Sequence, residues 1–459
     1  KSALRNSDYP FPMTHITVNL APADLKKDGS GLDVPIAVGI LVSSKFLSQE
    51  MTEGKIFIGE LSLDGGVRKV NGVLSMIIEA QRSGFKEIFI PEENAAEGKL
   101  VTGIDVYTHS NLRQLIEHLQ GKIKLQPLPK ENILQNLDRA YDVDFADVKG
   151  QPVARRALEI AAAGGHSILM MGAPGCGKTM LARRLVTILP PVTEAEALEI
   201  TKIYSIVNML PETESVMIER PFRSPHHSVS ASALLGGGTY PMPGEVTLSH
   251  NGVLFLDELP EFERYTLEML RQPLEDGEVH ISRVRGTMNY PARFLLIAAG
   301  NPCPCGYLGD KFRRCTCKQK DVENYRRKIS GPLLDRFDMQ INLVRVEYDE
   351  LKNKATGESS SEIRKRVVEA RNVQLERFVG TGFYCNAQMT RREVVEYCQL
   401  DEAAQKILEK YFTALHLSAR SHDRILKVAR TIADLAGSDF IAAPHIAEAI
   451  QLRTSINGQ

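Results

Sequence analysis

The stretch "SILMMGAPGCGKTMLARRLVTIL", Ser167 to Leu189, constrains the fold more than any other. An apolar run leads into Gly172-Ala173-Pro174-Gly175-Cys176-Gly177-Lys178-Thr179, which satisfies G-x-x-x-x-G-K-[ST], and an amphipathic run follows at once. Glycines let consecutive backbone N–H groups curl around phosphate oxygens, and the helix start adds its dipole. Lys178 can then reach the β- and γ-phosphates while the Thr179 hydroxyl ligates Mg²⁺. Short apolar runs (SILMM, VLFLD, FLLIAA) alternate with amphipathic stretches from about 147 to 346, so this region is predicted to be a parallel sheet covered by helices, an α/β fold.

Two further apolar runs end in polar side chains suited to the same chemistry. "GVLFLDELPEF" brings Asp257 and Glu258 to the carboxyl end of a buried strand, where open α/β sheets bind ligands. Asp257 is expected to hold Mg²⁺ through its water shell, and Glu258 to orient and deprotonate the attacking water. "FLLIAAGN" ends in Asn301, whose amide can donate to the γ-phosphate; the alternative is a strand-ending turn residue. In "SGPLLDRFDM", Arg336 reads either as a surface ion pair or as an arginine finger directed at a neighbouring subunit's nucleotide. "LSARSHDRILKVAR" starts a helix with Arg420 and Arg424, either of which could contact the γ-phosphate, with Arg420 preferred.

The 459 residues suffice for two or three domains. A formal net charge of −1 excludes a polycation that coats nucleic acid, so any such contact must come from local patches. The longest apolar runs are too short to span a bilayer, no signal peptide is visible, and the cysteines form no spaced framework, so a reducing cytoplasm is expected. The chain starts at Lys1, mid-element, and an N-terminal segment is expected to be missing.

Four regions are expected: a mixed α/β domain at 1–122, a linker at 123–146, the phosphate-binding core at 147–346, and a helical lid at 347–459. In the first, "HITVNL", "KIFIGELSL" and "EIFI" read as strands and "VLSMIIEAQRSG" as a helix. In the lid, Asp401 caps "DEAAQKILEKYFTAL", "RILKVARTIADLAG" stops at Gly437, and "SSS" at 359–361 reads as a hinge.

Together these motifs resemble an AAA+ ATPase. The insert "PFRSPHHSVSASALLGGGTYPMPGEVTLSHNG" with "GNPCPCGY" and "GPLLDRFD" narrows the resemblance to the magnesium-chelatase-like ComM/YifB family, across essentially the whole chain. The resemblance implies a hexameric ring motor hydrolysing ATP with Mg²⁺, translocating on DNA and acting in branch migration during natural transformation. "EVHISRVRGTMNYPARFLLIAA" resembles the pre-sensor-1 hairpin of the same branch of AAA+ proteins, whose tip faces the ring channel. Arg283 and Arg285 are then either channel-lining DNA contacts or solvated side chains.

Four of the seven cysteines fall in "CPCGYLGDKFRRCTC". Cys303, Cys305, Cys315 and Cys317 fit a closed tetrahedral Zn²⁺ site in the insertion 303–317, with free thiols or a redox pair as alternatives. Arg313 and Arg314 lie within this insertion, a second candidate DNA surface or a solvated face. The N-terminal region resembles the Lon proteolytic domain, a ribosomal-S5-like fold. There Lys27-Asp28-Gly29-Ser30-Gly31 puts Gly31 where that family has its nucleophile, and Leu74 stands at the dyad lysine. An unassisted serine hydroxyl is a weak nucleophile, so the shape is expected without the protease activity. The rivals to a DNA motor are thus a chelatase-type ATPase subunit, against which the Lon-like domain and the thiols stand, and an ATP-dependent protease.

Overall fold

A computed structural model of the chain describes residues 1–20, 30–130, 141–211, 216–238, 241–283, 286–346, 357–414 and 417–454. The chain divides into two compact units: Lys1–Leu137 with Val192–Glu219 and Val284–Gly286, and Asp138–Pro191 with Arg220–Arg283 and Thr287–Gln459. The sequence predicts an unbroken core from 147 to 346, whereas Val192–Glu219 belongs with the N-terminal unit.

The N-terminal unit holds a parallel sheet of β1 (Lys55–Phe57), β2 (Glu87–Pro91) and β3 (Asp105–His109), in that order. Ile88, Phe89 and Ile90 make the central strand apolar on both faces, as a covered parallel sheet requires. Helices α1 (Asp33–Ser43), α2 (Val73–Arg82) and α3 (Leu112–Leu119) complete the unit. The Asn111 side chain caps α3 by accepting from Gln114 N, 2.9 Å. The helix Glu194–Ile206 is tied in by a buried carboxylate. Glu97 accepts from Ser205 Oγ, from Asn94 Nδ2 (2.7 Å) and from Leu74 N (3.1 Å), so its lone pairs are satisfied away from water.

One expectation fails here. His15–Leu20 is not a strand, and all six residues are exposed: alternation yields a strand only where a neighbouring edge accepts its hydrogen bonds and one face can be buried. The first part of the expected linker is docked against β3, Leu128 N donating to Val106 O (2.8 Å) and Lys130 Nζ to Ile104 O (2.9 Å). Residues 131–140 of that linker lie outside the described residues.

The second unit carries α4 (Pro152–Gly164), β4 (Ile168–Gly172), α5 (Lys178–Ile188), β5 (Phe222–Arg223), β6 (Val253–Leu256), β7 (Glu278–Arg283), β8 (Gly286–Pro291, from its second residue on), β9 (Leu295–Gly300) and β10 (Met339–Leu343). Five strands form one parallel sheet, β10-β4-β9-β6-β5, and β7 with β8 form a separate hairpin. Ile297 of β9 sits opposite Ile168 of β4 and Phe255 of β6, a register that brings the carboxyl ends of the three strands to one edge. Ile168 and Met170 face the core shared with α4 and α5; Leu169 and Met171 face the other way, toward Phe337 and Ile329. Fully burying each such side chain contributes about 1.5–3 kcal/mol.

The C-terminal part is helical: α6 (Ser360–Arg377), α7 (Glu402–Ala414), α8 (Ala419–Leu435) and α9 (Ala443–Thr454). Asp401 caps α7 through Ala404 N (2.6 Å), and Gly437 (φ +65°) follows the end of α8, as expected. The three serines are no hinge. Ser359 and Glu362 form a capping box on α6, and the buried Ser360 accepts from Phe145 N at 2.8 Å. Asp338 clasps this helical part to the core, accepting from Arg424 Nη1 of α8 (2.5 Å) and from Ser167 N (3.2 Å), with His166 Nδ1 at 3.3 Å. Burial opposes its ionisation, but Arg424 and His166 hold the carboxyl far below the usual carboxylate range.

Candidate nucleotide site and thiol cluster

The loop between β4 and α5 turns through Gly175 (φ +80°) and Gly177 (φ +93°), a left-handed conformation that only glycine adopts without strain. Lys178, the first residue of α5, is buried. Its ammonium donates to Gly172 O (2.6 Å), Ala173 O (3.2 Å) and Asn301 Oδ1 (3.1 Å). Burial lowers the lysine's pKa, opposed by Cys176, Asp257 and Glu258. Ala173 and Cys176 are buried in the loop wall, and Arg345 donates to Pro174 O at 3.3 Å. Thr179 Oγ1 donates to Asp257 Oδ2 at 2.6 Å, so the two residues expected to hold Mg²⁺ are in direct contact. Phosphate loop, Asp257, Glu258 and Asn301 thus meet at the carboxyl end of β4, β6 and β9.

Glu258 has φ +53°, an uncommon conformation for a non-glycine residue, and its N–H donates to Asp257 Oδ1 at 2.9 Å. Its Oε2 lies 3.1 Å from His227 Nδ1, and His227 stacks near His226 with ring centroids 4.0 Å apart. The insert that carries His227 assigns that histidine no role from sequence alone. The adjacent pair His226-His227 in an insert without helical or strand periodicity was the available signal.

The expected arginines divide. Arg424 is committed to the clasp, donating to Arg336 O (2.6 Å) as well as to Asp338, whereas Arg420 is exposed and 3.9 Å from Glu275. Arg336 is turned inward in the single chain. It is 7% exposed and paired with Glu275 at 2.5 Å, because "LLDRF" turns it back onto the helix Arg271–Asp276. In the single chain Arg336 is thus held in an ion pair with a half-exposed carboxylate.

Cys303, Cys305, Cys315 and Cys317 come together, their four Sγ atoms all within 4.8 Å of one another. Three of the distances are 3.4, 3.7 and 3.6 Å, against about 3.8 Å between sulfurs of a tetrahedral zinc thiolate with 2.3 Å bonds. Backbone N–H groups of Tyr307 and Thr316 hold the Cys305 thiol down to about 5, while Cys303 and Cys317 are pushed up, so Cys305 is the favoured thiolate of the cluster. Gly306 lies against the phosphate loop, where a Cβ would come 2.6 Å from Pro174 Cδ. Beneath the insertion a cavity of about 510 Å³ is lined by Met171, Leu308, Phe312, Tyr325, Leu334 and other residues, on the sheet face turned away from α4 and α5.

Of the expected DNA contacts, Arg285 lies outside the described residues, and Arg283 is described only as the end of β7. Arg313 stacks on Tyr307 (4.3 Å) and donates to its hydroxyl (2.9 Å), while Arg314 is exposed. Among the protease-like positions, Lys27–Gly29 lie outside the described residues, and Leu74 is fully buried in α2, where a lysine amine would have no water. No helix among the described residues is long and apolar enough to cross a membrane.

Comparison with known proteins agrees with this architecture. Family models described as "Magnesium chelatase, subunit ChlI", its C-terminal part and "Subunit ChlI of Mg-chelatase" match residues 144–351, 357–453 and 1–94. The last match removes the N-terminal domain as a ground for setting a chelatase-type role aside. The chain is 44% identical to the competence protein ComM of Haemophilus influenzae, over 99% of this chain and 89% of that protein. It is 45% identical to YifB of Salmonella typhimurium (99% and 88%), and 26% identical to the magnesium-chelatase 38 kDa subunit of Rhodobacter capsulatus (34% and 50%). With its phosphate loop, acidic strand end and parallel sheet in place, the chain belongs to the ComM/YifB family of magnesium-chelatase-like AAA+ proteins.

Proposed function

We propose that the chain is an ATP-driven, ring-forming DNA motor, a helicase or branch-migration enzyme of natural transformation or recombination. The observation that carries the hydrolytic half is the meeting of Lys178, Thr179–Asp257, Glu258 and Asn301 at one sheet edge. The loop amides of 172–179 bind the phosphates, and Lys178 exchanges its carbonyl partners for β- and γ-phosphate oxygens. Thr179 and Asp257 would hold Mg²⁺, which neutralises charge on those oxygens. Glu258 takes the proton of the attacking water, and Asn301 positions that water against the γ-phosphorus. Arg336 of an adjoining protomer, released from Glu275, neutralises charge on the transferring phosphoryl group; Arg420, free of the Asp338 clasp, is the lid cation.

The DNA half is supported by the competence name of the Haemophilus relative and by the cationic insertion. Arg283 and Arg285 on the hairpin, with Arg313 and Arg314, would contact phosphate backbones without reading sequence. The four thiols would hold a structural Zn²⁺, supplying folding free energy to an insertion with little apolar core of its own. The test is a synthetic four-way junction incubated with the hexamer and ATP. Strand exchange that disappears with Lys178→Ala and with Glu258→Gln is expected; ATP turnover with no strand exchange on any branched substrate would overturn the motor reading.

A second reading, a chelatase-type ATPase subunit, is favoured by the three matched family models. An ATP-dependent protease is disfavoured by Gly31 and the buried Leu74.

A further inference from the structure

The two arginines assigned to phosphate, Arg336 and Arg420, converge on one carboxylate of their own chain. Glu275 Oε1 lies 2.5 Å from Arg336 Nη2 and 3.9 Å from Arg420 Nη2. Arg336 is gripped further: its Nε donates to Arg271 O (3.2 Å) and its Nη1 to Pro332 O (2.7 Å). Arg271 and Glu275 belong to the same short helix, Arg271–Asp276, and only Gly277 (φ +69°) separates that helix from β7 of the hairpin. Ala292 N donates to Gly277 O at 2.7 Å, closing the hairpin at its root. The element that holds Arg336 is therefore the stem of the hairpin.

We propose that Glu275 is a latch that withholds Arg336 and Arg420 from nucleotide until the hairpin is displaced. This rests on the reading of Arg336 as acting on an adjoining protomer's nucleotide. A carboxylate offers a guanidinium two acceptor oxygens in the same fork that a phosphoryl group offers, so Glu275 and the nucleotide compete for the same donors. Displacing the hairpin moves its stem, and with it both Arg271 O and Glu275, which loosens Arg336 at two points together. DNA that displaces the hairpin is thereby coupled to turnover through the side chain of Glu275.

The test uses the full chain assembled with nucleotide and compares ATP turnover with and without DNA. Glu275→Gln keeps the size and removes the charge. The expected result is a rise in DNA-free kcat of roughly two- to five-fold, the upper part of the range of a partly exposed ion pair, with KM for ATP altered less than about two-fold. The factor by which DNA stimulates turnover falls correspondingly. Glu275→Asp, which keeps the charge, stays near wild type. A fall or no change in kcat for Glu275→Gln overturns the latch, as does an equal rise for Glu275→Asp. Arg336→Ala separates the two claims. If it turns over ATP normally, the underlying reading fails and the latch with it. If it abolishes turnover while Glu275→Gln raises nothing, the latch alone fails.

Discussion

Replacing Asp338 by asparagine removes the charge on which the core and the helical part are clasped. Asp338 is 6% exposed and accepts from Arg424, Ser167 N and the His166 ring, while Arg424 keeps 22% side-chain exposure. Breaking a buried pair from one side costs about 3–5 kcal/mol, and the partial access of Arg424 to water selects the lower end, about 3 kcal/mol. With an m-value of about 3 kcal/mol/M for a unit of this size, the urea midpoint should fall by roughly 1 M. The chain contains no tryptophan, so far-UV circular dichroism is the suitable probe. Removing both charges, as Asp338→Asn with Arg424→Met, should recover at least about half of the loss, because no guanidinium is then stranded. The pH dependence has a definite sign. The carboxyl is held below its ordinary value in the folded chain, so its contribution is complete above an unfolded pKa of about 3.9 and is lost as pH falls through the lower folded value. The gap between wild type and Asp338→Asn should therefore be constant from about pH 5 to 8 and shrink below about pH 4. A midpoint shift under about 0.3 M, or a double variant no better than the single one, would refute the reasoning.

Lys178→Ala should weaken ATP binding at least about ten-fold in a fluorescent-nucleotide titration, since it removes the one cation inside the phosphate loop; unchanged affinity would contradict the role. His227→Phe keeps a ring beside His226 but removes the imidazole that holds the Glu258 carboxylate, leaving that carboxylate free to turn toward the attacking water. Its kcat should rise about two- to five-fold at unchanged KM, and a lowered kcat would assign His227 a supporting role instead. Elemental analysis of protein purified without added metal should find about one Zn²⁺ per chain, falling to near zero in Cys303→Ser with Cys315→Ser; four freely titrating thiols in the native protein would dispose of the site.

The phosphate loop was legible because its chemistry is local: strand, glycine turn and helix start lie within one short stretch. Asp257 and Asn301 were legible for a related reason, each ending a strand apolar enough to be buried, and the register of β4, β6 and β9 then brought them to the loop. What the sequence hid were contacts between distant segments. Nothing in "LLDRF" announces Glu275 as the partner of Arg336, and nothing near Glu258 announces His227. Arg420 and Arg424 could not be separated by spacing, because Asp338, on another element, decides which of them is used up. Two misreadings had signals at hand. Ser359 with Glu362 spells a capping box, which the reading as a serine hinge passed over. His15–Leu20 alternates convincingly, yet a strand needs an edge to pair with, and a single segment cannot show one.

The central claim is that nucleotide hydrolysis at this sheet edge is coupled to DNA. Its most direct measurement is the rate of ATP hydrolysis by the assembled full-length protein with and without branched DNA, beside Glu258→Gln. The account predicts a several-fold higher rate with DNA and a loss of at least about 100-fold in the variant under both conditions. An identical rate with and without every DNA structure offered, at undiminished wild-type turnover, would contradict it.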